Sequence, residues 1–431
     1  MSKKEYFCTL LQFVSKTITH NPPSPTITMN NDITSYLFDS TESHGNLLPL
    51  SFTRPVADFR VGITTIREKW EAMRPAPYKY LPTEYLREKF GDISDPSEEA
   101  IFISGALIPS PGIISEIDSL KPGEAILDGD FIIAFRGTYD RLMNRDFIAT
   151  ESAASPILIR YHFDVFIQNP SQIAEDFKRL TKGKTSVAPD NSNTIIGDTT
   201  DKEGNPTLFI EEGATVAGAT INLTRGPVYI GKNAEVMEGS CLRGPLALCH
   251  DAKIRMGSKI YGGCTFGPYC KVGGEIDNSV FFGFSNKAHD GYLGNAVIGE
   301  WCNIGAGVNA SNLKNDYSKI RVWNYHSHSF MRTQLQFCGP IIGDHTKIGV
   351  NCMLNTATVL GVGVNLHGAG FPRAFVPSFS EGSPSSGFTS VTMKKFSDIA
   401  ERVMSRRNLS LNDTDRKIFE KVYQVASSFK G

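Results

Sequence analysis

The chain has 431 residues, 40% of them hydrophobic and 21% charged, with a formal net charge of −1. It is too long for one ordinary hydrophobic core, so we expect two domains, or one domain joined to an elongated repeat. This composition excludes wholesale disorder, and the balanced charge gives no basic surface for nucleic acid. No stretch approaches the roughly 18 apolar residues that a membrane-spanning helix needs.

The eight cysteines include no CxxC pair, and no histidine stands at metal-ligand spacing from two of them. Neither a zinc site nor a disulfide framework is therefore indicated. We interpret these cysteines as reduced packing residues of a cytoplasmic protein.

Residues 1–28 begin with two adjacent lysines, Lys3 and Lys4, followed by a short apolar stretch that Thr9 and Gln12 interrupt. No small-residue cleavage site follows, so the segment is a poor match to a signal peptide. We predict a disordered extension.

Short apolar runs alternate with helix-like stretches over residues 29–185. The runs are SYLF, AIFISGALI, EAILDGDFIIAF and PILI, and the helix-like stretches include GITTIREKWEAM and PSQIAEDFKRL. This alternation predicts an α/β domain with a partly parallel sheet. The stretch YLFDSTESHGNLLPLSFTRPVADFRVGITTIREKW resembles the start of a sugar-nucleotidyltransferase domain, in which a strand leads to a phosphate-binding loop and then a helix.

That resemblance implies nucleotide binding, yet FDSTESHGNLLPL has one glycine where the family has a glycine-rich phosphate loop. We predict Arg54, Asp58 and Arg60 as nucleotide- or phosphate-binding residues, although charges so close together are equally typical of an exposed turn. Asp128 and Asp130 are candidate ligands for Mg²⁺, which usually needs only one or two carboxylates. The domain is also short for a full nucleotidyltransferase, which leaves a lost or altered nucleotide chemistry open.

A linker rich in Asn, Asp, Thr, Gly and Pro, residues 186–206, precedes a sequence repeat. Every sixth residue is then apolar, and most have a small residue two positions earlier; the apolar residues are Ile230, Val236, Leu242, Leu248, Ile254, Ile260, Phe266 and Val272. The pattern returns at Ile298 and Ile304, and again from Ile342 to Leu366. A period of six predicts one inward aliphatic residue per short strand, with the strands wound into a triangular coil. It resembles the left-handed parallel β-helix of hexapeptide-repeat proteins, which we place at residues 207–370, and that resemblance implies a homotrimer.

Two segments, residues 273–297 and 305–341, interrupt the period. Insertions in a repeat architecture gather on one face, which is often the binding face. The first segment contains SNKAHDGYLG, where glycines near His289 allow close approach of backbone to a ligand and Asp290 or a backbone carbonyl can orient the imidazole. An imidazole is suited to removing a proton from an attacking amine or hydroxyl near neutral pH, so we predict His289 as a general base.

The run YLGNAVIGEWCNIGAG, with His289 three residues before its tyrosine, resembles the acetyltransferase domain of the bacterial bifunctional N-acetylglucosamine-1-phosphate uridyltransferases. NKAHDG and SNLKN are similar to a divergent version of that enzyme. The resemblance implies that His289 deprotonates the 2-amino group of a sugar phosphate, which Tyr292 and Asn303 hold. The residues that it implies for acetyl-CoA binding are Ala306, Gly307 and Asn312.

The phosphate ligands of that family, an Arg and a Lys in the preceding coils, have no counterpart by motif in GPYCKVGGEIDNSVFFGF. Charge-assisted contacts to a phosphate are made by Arg or Lys. We therefore predict Lys271 and Lys287 as sugar-phosphate ligands, with Lys314 as a further candidate; the alternative for each is a solvated surface lysine.

Residues 371–431 begin with an irregular stretch and continue with apolar residues at helical spacing. A second helix is predicted from about residue 413. We expect a loop and a helical tail that packs on the β-helix or on a neighbouring chain.

These features predict an acetyl-CoA-dependent N-acetyltransferase that acts on an amino-sugar 1-phosphate. Mg²⁺-dependent nucleotidyl transfer would then give a nucleotide sugar resembling UDP-N-acetylglucosamine. One alternative is a sugar-1-phosphate nucleotidyltransferase alone, similar to glucose-1-phosphate thymidylyltransferase, with the β-helix as an oligomerisation scaffold. Another is a non-enzymatic trimeric protein that senses sugar nucleotides. The expected partners are sugar phosphate, nucleoside triphosphate and acetyl-CoA, with no nucleic acid or membrane, and the expected location is the cytoplasm.

Overall fold

The computed structural model describes residues 33–429, so the predicted disordered extension lies outside the described residues. The first domain consists, in chain order, of β1 (Ser35–Phe38), α1 (Thr41–Asn46), α2 (Ile66–Met73), β2 (Tyr78–Leu81), α3 (Arg87–Phe90), β3 (Ala100–Ser104), β4 (Leu107–Ile108), α4 (Pro111–Ser119), β5 (Glu124–Asp128), β6 (Phe131–Gly137), α5 (Tyr139–Met143), β7 (Ile148–Glu151), β8 (Ile157–Leu158) and α6 (Asp164–Thr181). Single 3₁₀ turns cover Leu50–Phe52, Val56–Asp58 and Glu84–Leu86.

The predicted partly parallel α/β domain is confirmed. Its main sheet has the order β2-β1-β3-β6-β5-β7, with β2 and β3 parallel to β1 and β6 antiparallel to β3 and β5. Strands β1 and β3 are buried along their whole length, as expected for continuous apolar runs inside a parallel sheet. Helix α2 begins at a capping box formed by Thr65 and Glu68, and it buries Trp70. The indole N–H of Trp70 donates to the carbonyl of Leu107 at 2.8 Å, which fastens the helix to the sheet layer.

The second part of the chain is a coil of short strands. They are β9 (Thr194–Ile196), β10 (Leu208–Ile210), β11 (Thr215–Val216), β12 (Thr220–Asn222), β13 (Val228–Ile230), β14 (Glu235–Val236), β15 (Cys241–Arg243), β16 (Leu246–Leu248), β17 (Lys253–Ile254), β18 (Lys259–Ile260), β19 (Cys264–Phe266), β20 (Lys271–Val272), β21 (Glu275–Asp277), β22 (Val280–Gly283), β23 (Asn286–Lys287), β24 (Tyr292–Gly294), β25 (Val297–Glu300), β26 (Asn303–Ile304), β27 (Asn309–Ala310), β28 (Arg321–Asn324), β29 (Ser329–Arg332), β30 (Ile341–Ile342), β31 (Lys347–Ile348), β32 (Met353–Leu354), β33 (Val359–Leu360), β34 (Asn365–Leu366), β35 (Phe375–Val376), β36 (Ser380–Ser383) and β37 (Gly387–Ser390).

These strands form the faces of a triangular coil. The first face is β10-β13-β16-β19-β22-β25-β30-β33-β35, and the second is β11-β14-β17-β20-β23-β26-β31-β34-β36, to which β37 is added antiparallel. The third face is β9-β12-β15-β18-β21-β24, followed by the pair β27 and β32. The residues of the predicted six-residue period, from Ile230 to Val272, are all at most 3% exposed and form the interior. The left-handed parallel β-helix of hexapeptide-repeat type is thus confirmed.

The first predicted interruption is not an insertion. Strands β21 to β24 continue the faces through residues 273–297, and Ile276, Phe281 and Leu293 supply the buried inward positions. The coil is shorter there, so the six-residue spacing is lost while the architecture persists. The second interruption does contain an insertion, the antiparallel hairpin of β28 and β29. Strand β9 also lies inside the predicted linker and pairs with β12, because Ile195 stacks on Ile221 as an inward residue.

The first face is covered by the N-terminal domain. Phe209, Tyr229 and Ala247 point outward from this face and pack against Ile63 and Phe177 of that domain. Apolar residues on both sides of these strands explain why the strands of this face are buried at every position from β10 to β22.

The tail contains the two predicted helices, α7 (Met393–Ser405) and α8 (Asp413–Ala426), followed by a 3₁₀ turn, Ser427–Phe429. Helix α7 begins at the cap residue Thr392 and buries Phe396, whose ring packs on the β-helix residue Phe379. Within residues 33–429, no helix is long and apolar enough to span a membrane.

Candidate active site

His289 lies at the corner where the second face passes into the third, two residues after β23. Its side chain is exposed, and its imidazole makes no hydrogen bond to any residue within 33–429. The adjacent Asp290 is also exposed and does not pair with the ring. An accessible imidazole with both nitrogens available can take a proton from a bound substrate.

The coil beneath His289 is shortened. Val272 and Lys287 occupy equivalent positions in neighbouring coils, yet they are 15 residues apart, whereas Ile254 and Val272 are 18 apart. Gly273 and Gly274 alone form the corner of the shortened coil. A Cβ atom on Gly274 would lie 2.8 Å from the carbonyl oxygen of His289, and this glycine has φ +79°. The loop that carries His289 therefore rests directly on backbone, and only glycine permits this contact.

Lys287 corrects one prediction. It takes the inward position that Val272 holds in the preceding coil, and it is 1% exposed. Its ammonium donates to the carbonyl oxygens of His289 at 2.8 Å and Gly273 at 3.3 Å. Burial lowers the pKa of Lys287 to about 8. This lysine is therefore not placed to bind a surface phosphate; it fixes the backbone of the His289 loop instead.

Tyr292 and Asn312 are joined across the two predicted interruptions. The side-chain amide of Asn312 donates to the Tyr292 hydroxyl at 2.9 Å and to the side-chain oxygen of Asn295 at 2.8 Å. The backbone N–H of Tyr292 donates to the side chain of Asn309 at 2.9 Å. Burial, reinforced by the charge of Asp277, raises the pKa of Tyr292 to about 12, so its hydroxyl stays protonated at neutral pH.

The predicted acetyl-CoA residues lie one coil beyond His289. The N–H of Gly307 donates to the carbonyl of Asp290 at 2.9 Å, so the backbone of residues 306–307 stacks on the His289 loop. Asn303 is exposed on β26 and pairs in register with Asn286 of β23. Lys271 on β20 pairs with the same Asn286 from the other side. Lys271, Asn286 and Asn303 thus form an outward row on the second face, with a spacing of about 4.8 Å per coil.

The structure brings most of the predicted β-helix residues together around the His289 corner; Lys287 lies beneath it rather than on its surface. Lys314, by contrast, bonds within its own loop, to Ser318 and to the carbonyl of Lys319. The sequence analysis missed Asn286, Asn295 and Asn309. Asn286 could have been found from strand register, since it precedes the inward position of its strand, but the shortened coil hides that register.

Two of the predicted phosphate-binding residues of the N-terminal domain, Arg54 and Arg60, contact the β-helix. Arg54 is 6% exposed; its guanidinium pairs with Glu300 at 3.0 Å and with Asp344, both on the β-helix. The Thr53 hydroxyl donates to Asp344 at 2.7 Å. Arg60 donates to the carbonyls of Ile63 and Phe282. These contacts use part of each guanidinium, while the Nε of Arg54 has no hydrogen-bond partner among the described residues, and the assignment of Arg54 and Arg60 as nucleotide ligands stays a prediction.

These residues line a cavity of about 230 Å³ that the β-helix and the tail close. Asp58 lines it and accepts a hydrogen bond from the Tyr80 hydroxyl. Burial raises the pKa of Asp58 to about 7.

Asp39 is a carboxylate at the sheet edge that the sequence analysis did not single out. It directly follows β1, at the carboxyl edge where β2 and β3 lie on opposite sides of β1. This edge is where open α/β sheets bind ligands. Burial raises the pKa of Asp39 to about 7, and the charge of Asp58 adds to this effect. The Asp39 carboxylate accepts the backbone N–H of Val56 at 3.2 Å, which places it beside the 3₁₀ turn that carries Asp58.

The predicted metal ligands Asp128 and Asp130 lie at the end of β5 and in the turn that follows it. Asp128 accepts from the guanidinium of Arg160 at 2.6 Å, and Asp130 is exposed in the turn before β6. Within residues 33–429, no group of three or more His, Cys, Asp or Glu side chains is arranged to hold a metal ion.

Comparison with known proteins gives matches for both parts. The family described as "Sugar nucleotidyl transferase" matches residues 35–185. Bifunctional protein GlmU of Synechococcus elongatus is 26% identical over 220 residues, which cover 46% of this chain and 43% of that protein. GlmU of Trichormus variabilis is 29% identical over 193 residues, covering 42% of this chain and 37% of the relative. The chain therefore matches less than half the length of these relatives.

Solved structures show a weaker likeness. The polySia-specific acetyltransferase NeuO is 13% identical, with 46% of this chain and 82% of that chain covered, at a TM-score of 0.25. The N-acyltransferase AntD from Bacillus cereus, in complex with dTDP and 3-hydroxybutyryl-CoA, is 11% identical, with 47% and 89% covered, at a TM-score of 0.21. The family match of the N-terminal domain and the GlmU relatives identify this chain as a transferase, and it is similar to GlmU over part of its length.

Proposed function

We propose that this chain transfers the acetyl group of acetyl-CoA to the amino group of an amino-sugar 1-phosphate such as glucosamine 1-phosphate. The observation that carries the proposal is His289, whose imidazole is exposed and without a partner among the described residues. It lies one coil from the backbone of residues 306–307 and three residues from Tyr292. A β-helix that served only as a scaffold would have no use for this arrangement.

In the proposed reaction, the His289 imidazole removes a proton from the sugar amine while the amine nitrogen attacks the thioester carbonyl carbon. A C–N bond forms, the C–S bond breaks, and the imidazolium returns the proton to the departing sulfur. The products are the N-acetyl sugar phosphate and free CoA. A positioned general base typically contributes 10²–10⁴-fold to the rate.

The roles of the neighbouring residues follow from their hydrogen bonds. Because the Tyr292 oxygen accepts from Asn312, its own hydrogen remains available to donate to a sugar oxygen. Asn303 offers an exposed amide on the same side, and the backbone of Ala306 and Gly307 together with Asn312 would line the acetyl-CoA path.

We further propose that the N-terminal domain couples the product to a nucleotide, giving a nucleotide sugar resembling UDP-N-acetylglucosamine. The family match and the carboxyl groups of Asp39 and Asp58 at the sheet edge support this step. The carboxylates of Asp39 and Asp58 would hold Mg²⁺, and the ion would neutralise part of the charge of the triphosphate. Exchange of labelled pyrophosphate into UTP or dTTP tests it, and no exchange with either nucleotide would contradict it. The expected state is a cytoplasmic homotrimer.

The experiment that tests acetyl transfer compares wild-type protein with His289→Ala, following CoA release from acetyl-CoA with glucosamine 1-phosphate. The variant should be slower by 10²–10⁴-fold. His367→Ala is the matched control, because His367 is exposed further along the same corner of the β-helix. Equal rates for the wild type and the His289 variant would contradict the assignment. CoA release that is absent from the wild type would point to the alternative of a nucleotidyltransferase with a β-helix scaffold.

A further inference from the structure

A cleft of about 810 Å³ lies between the hairpin of β28 and β29 and the last coils of the β-helix. The insertion that carries the hairpin is closed at its base, where the N–H of Cys338 donates to the carbonyl of Asn312 at 2.9 Å. The hairpin itself leans on the β-helix through Trp323, whose ring stacks on Phe375 with the centroids 4.4 Å apart. Both walls of the cleft are therefore held in place by packing and hydrogen bonds.

Each wall of the cleft contributes an exposed aromatic ring. Phe330 on β29 is 41% exposed, and Phe371, in the segment before β35, is 54% exposed. Large apolar side chains that stay open to solvent in a concave surface indicate a binding site. Polar side chains of Ser311, Asn355 and Thr356 line the same cleft. Rings combined with a few hydrogen-bonding groups suit a ligand that has a planar aromatic part and hydroxyl groups.

The hairpin wall also carries an excess of positive charge. Arg321 lines the cleft and stands directly opposite Arg332 in the antiparallel register, so both side chains share one side of the hairpin with Phe330. Both arginines are exposed, and neither side chain has an ion-pair or hydrogen-bond partner within residues 33–429. Like charges directly opposite each other destabilise an antiparallel pair. Lys314 is a further cation of the lining, in which Asp316 alone of the described residues carries a carboxylate. An anion bound beside Arg321 would relieve the repulsion.

The cleft adjoins the proposed acetyl-transfer residues. Ser311 and Leu313 line it, and Asn312, which lies between them in the chain, donates to the Tyr292 hydroxyl at 2.9 Å. A ligand that occupies the cleft can therefore extend past Asn312 toward the His289 corner.

We propose that this cleft binds a nucleotide, whose base stacks on Phe330 and Phe371 and whose phosphates pair with Arg321 and Arg332. A guanidinium donates two parallel hydrogen bonds to phosphate oxygens, and every base has a face that can stack on an aromatic ring. Two sources offer this chemistry: the adenosine nucleotide end of CoA and the uridine diphosphate of a nucleotide sugar. Nucleotide binding in the cleft goes beyond the proposed function, whereas its assignment to either source rests on that function.

The test measures calorimetric binding of CoA, adenosine 3′,5′-bisphosphate and UDP-N-acetylglucosamine to the full chain, without Mg²⁺ so that the N-terminal domain contributes little. The cleft variant combines Arg321→Gln with Phe330→Ala. Its matched control combines Arg243→Gln with Phe337→Ala, because Arg243 and Phe337 are exposed and do not line the cleft. At wild-type urea stability, the cleft variant should bind nucleotide at least about tenfold more weakly than the control, since a stacked base is lost.

The ligand that is lost identifies the source. Weaker binding of CoA and adenosine 3′,5′-bisphosphate would assign the cleft to CoA, and the loss of a UDP-N-acetylglucosamine site would assign it to a nucleotide sugar. Equal affinities of the cleft variant and the control for all three ligands, or no binding of any of them by the wild type, would overturn the proposal.

CoA release from acetyl-CoA with glucosamine 1-phosphate separates this inference from the proposed function. Weaker nucleotide binding by the cleft variant, without CoA release by any protein, would leave the nucleotide cleft standing and refute acetyl transfer. Equal binding by the cleft variant and the control, together with CoA release that His289→Ala abolishes, would refute the cleft and leave acetyl transfer standing.

Discussion

Replacing Lys287 by methionine should change the stability of the protein in a pH-dependent way. The lysine occupies an inward β-helix position, where an aliphatic residue stands in the neighbouring coils, and it is 1% exposed. Burial lowers its pKa from 10.5 to about 8, which corresponds to about 3 kcal/mol of unfolding free energy lost while the lysine is charged. Methionine removes this cost but leaves the carbonyls of Gly273 and His289 without their donor, a loss of about 1 kcal/mol each.

The sign depends on pH because the folded and unfolded states release the proton at different pH values. At pH 7 the lysine is charged in both states, so its cost is almost fully present. Between pH 8 and pH 10.5 the folded protein loses the proton first, and the wild type gains stability as pH rises. The variant should therefore be more stable than the wild type by about 1 kcal/mol at pH 7, and less stable by roughly 1.5 kcal/mol at pH 10.

Urea unfolding at pH 7 and pH 10 measures this difference, with Lys259→Met as the control, since Lys259 is an exposed lysine on the third face. CoA release by Lys287→Met should fall, because the His289 carbonyl loses the ammonium that fixes it. A stability difference that does not change with pH would refute the account of Lys287 as a buried, charged lysine.

Two further substitutions test the interface and the site. Arg54→Leu should lower the unfolding free energy by about 3–5 kcal/mol, because it leaves the buried carboxylate of Asp344 without its cation. Arg67→Leu, which breaks an exposed ion pair on a helix, is the control and should cost less than about 1 kcal/mol in urea unfolding. Similar losses in the two variants would contradict the interface role of Arg54. Tyr292→Phe should raise KM for the acceptor by about tenfold, because the sugar loses the hydroxyl donor of Tyr292. Steady-state kinetics that leave KM for the acceptor unchanged would show that the hydroxyl does not contact the sugar.

The β-helix could be predicted because its interior repeats locally. One apolar residue every six positions specifies inward packing without knowledge of any distant contact, and the strands from Ile230 to Val272 follow that pattern. The prediction failed where the coil shortens beneath His289. There the inward residue is a lysine, so both the spacing and the apolar character that mark the repeat are absent at Lys287.

The role of Arg54 could not be predicted, because it depends on a contact 290 residues away. Asp344 lies on the β-helix, and nothing near Arg54 in the sequence indicates a carboxylate partner there. A charged run in a loop is compatible with a nucleotide site, an exposed turn or a domain interface, and only the tertiary fold distinguishes them.

The most direct measurement of the central claim is product analysis with wild-type protein, acetyl-CoA and glucosamine 1-phosphate. Mass spectrometry should show N-acetylglucosamine 1-phosphate in a one-to-one ratio with released CoA, and this product should be lost in His289→Ala and retained in His367→Ala. A folded wild-type protein that forms no acetylated sugar phosphate under these conditions would contradict the claim that the His289 corner catalyses acetyl transfer.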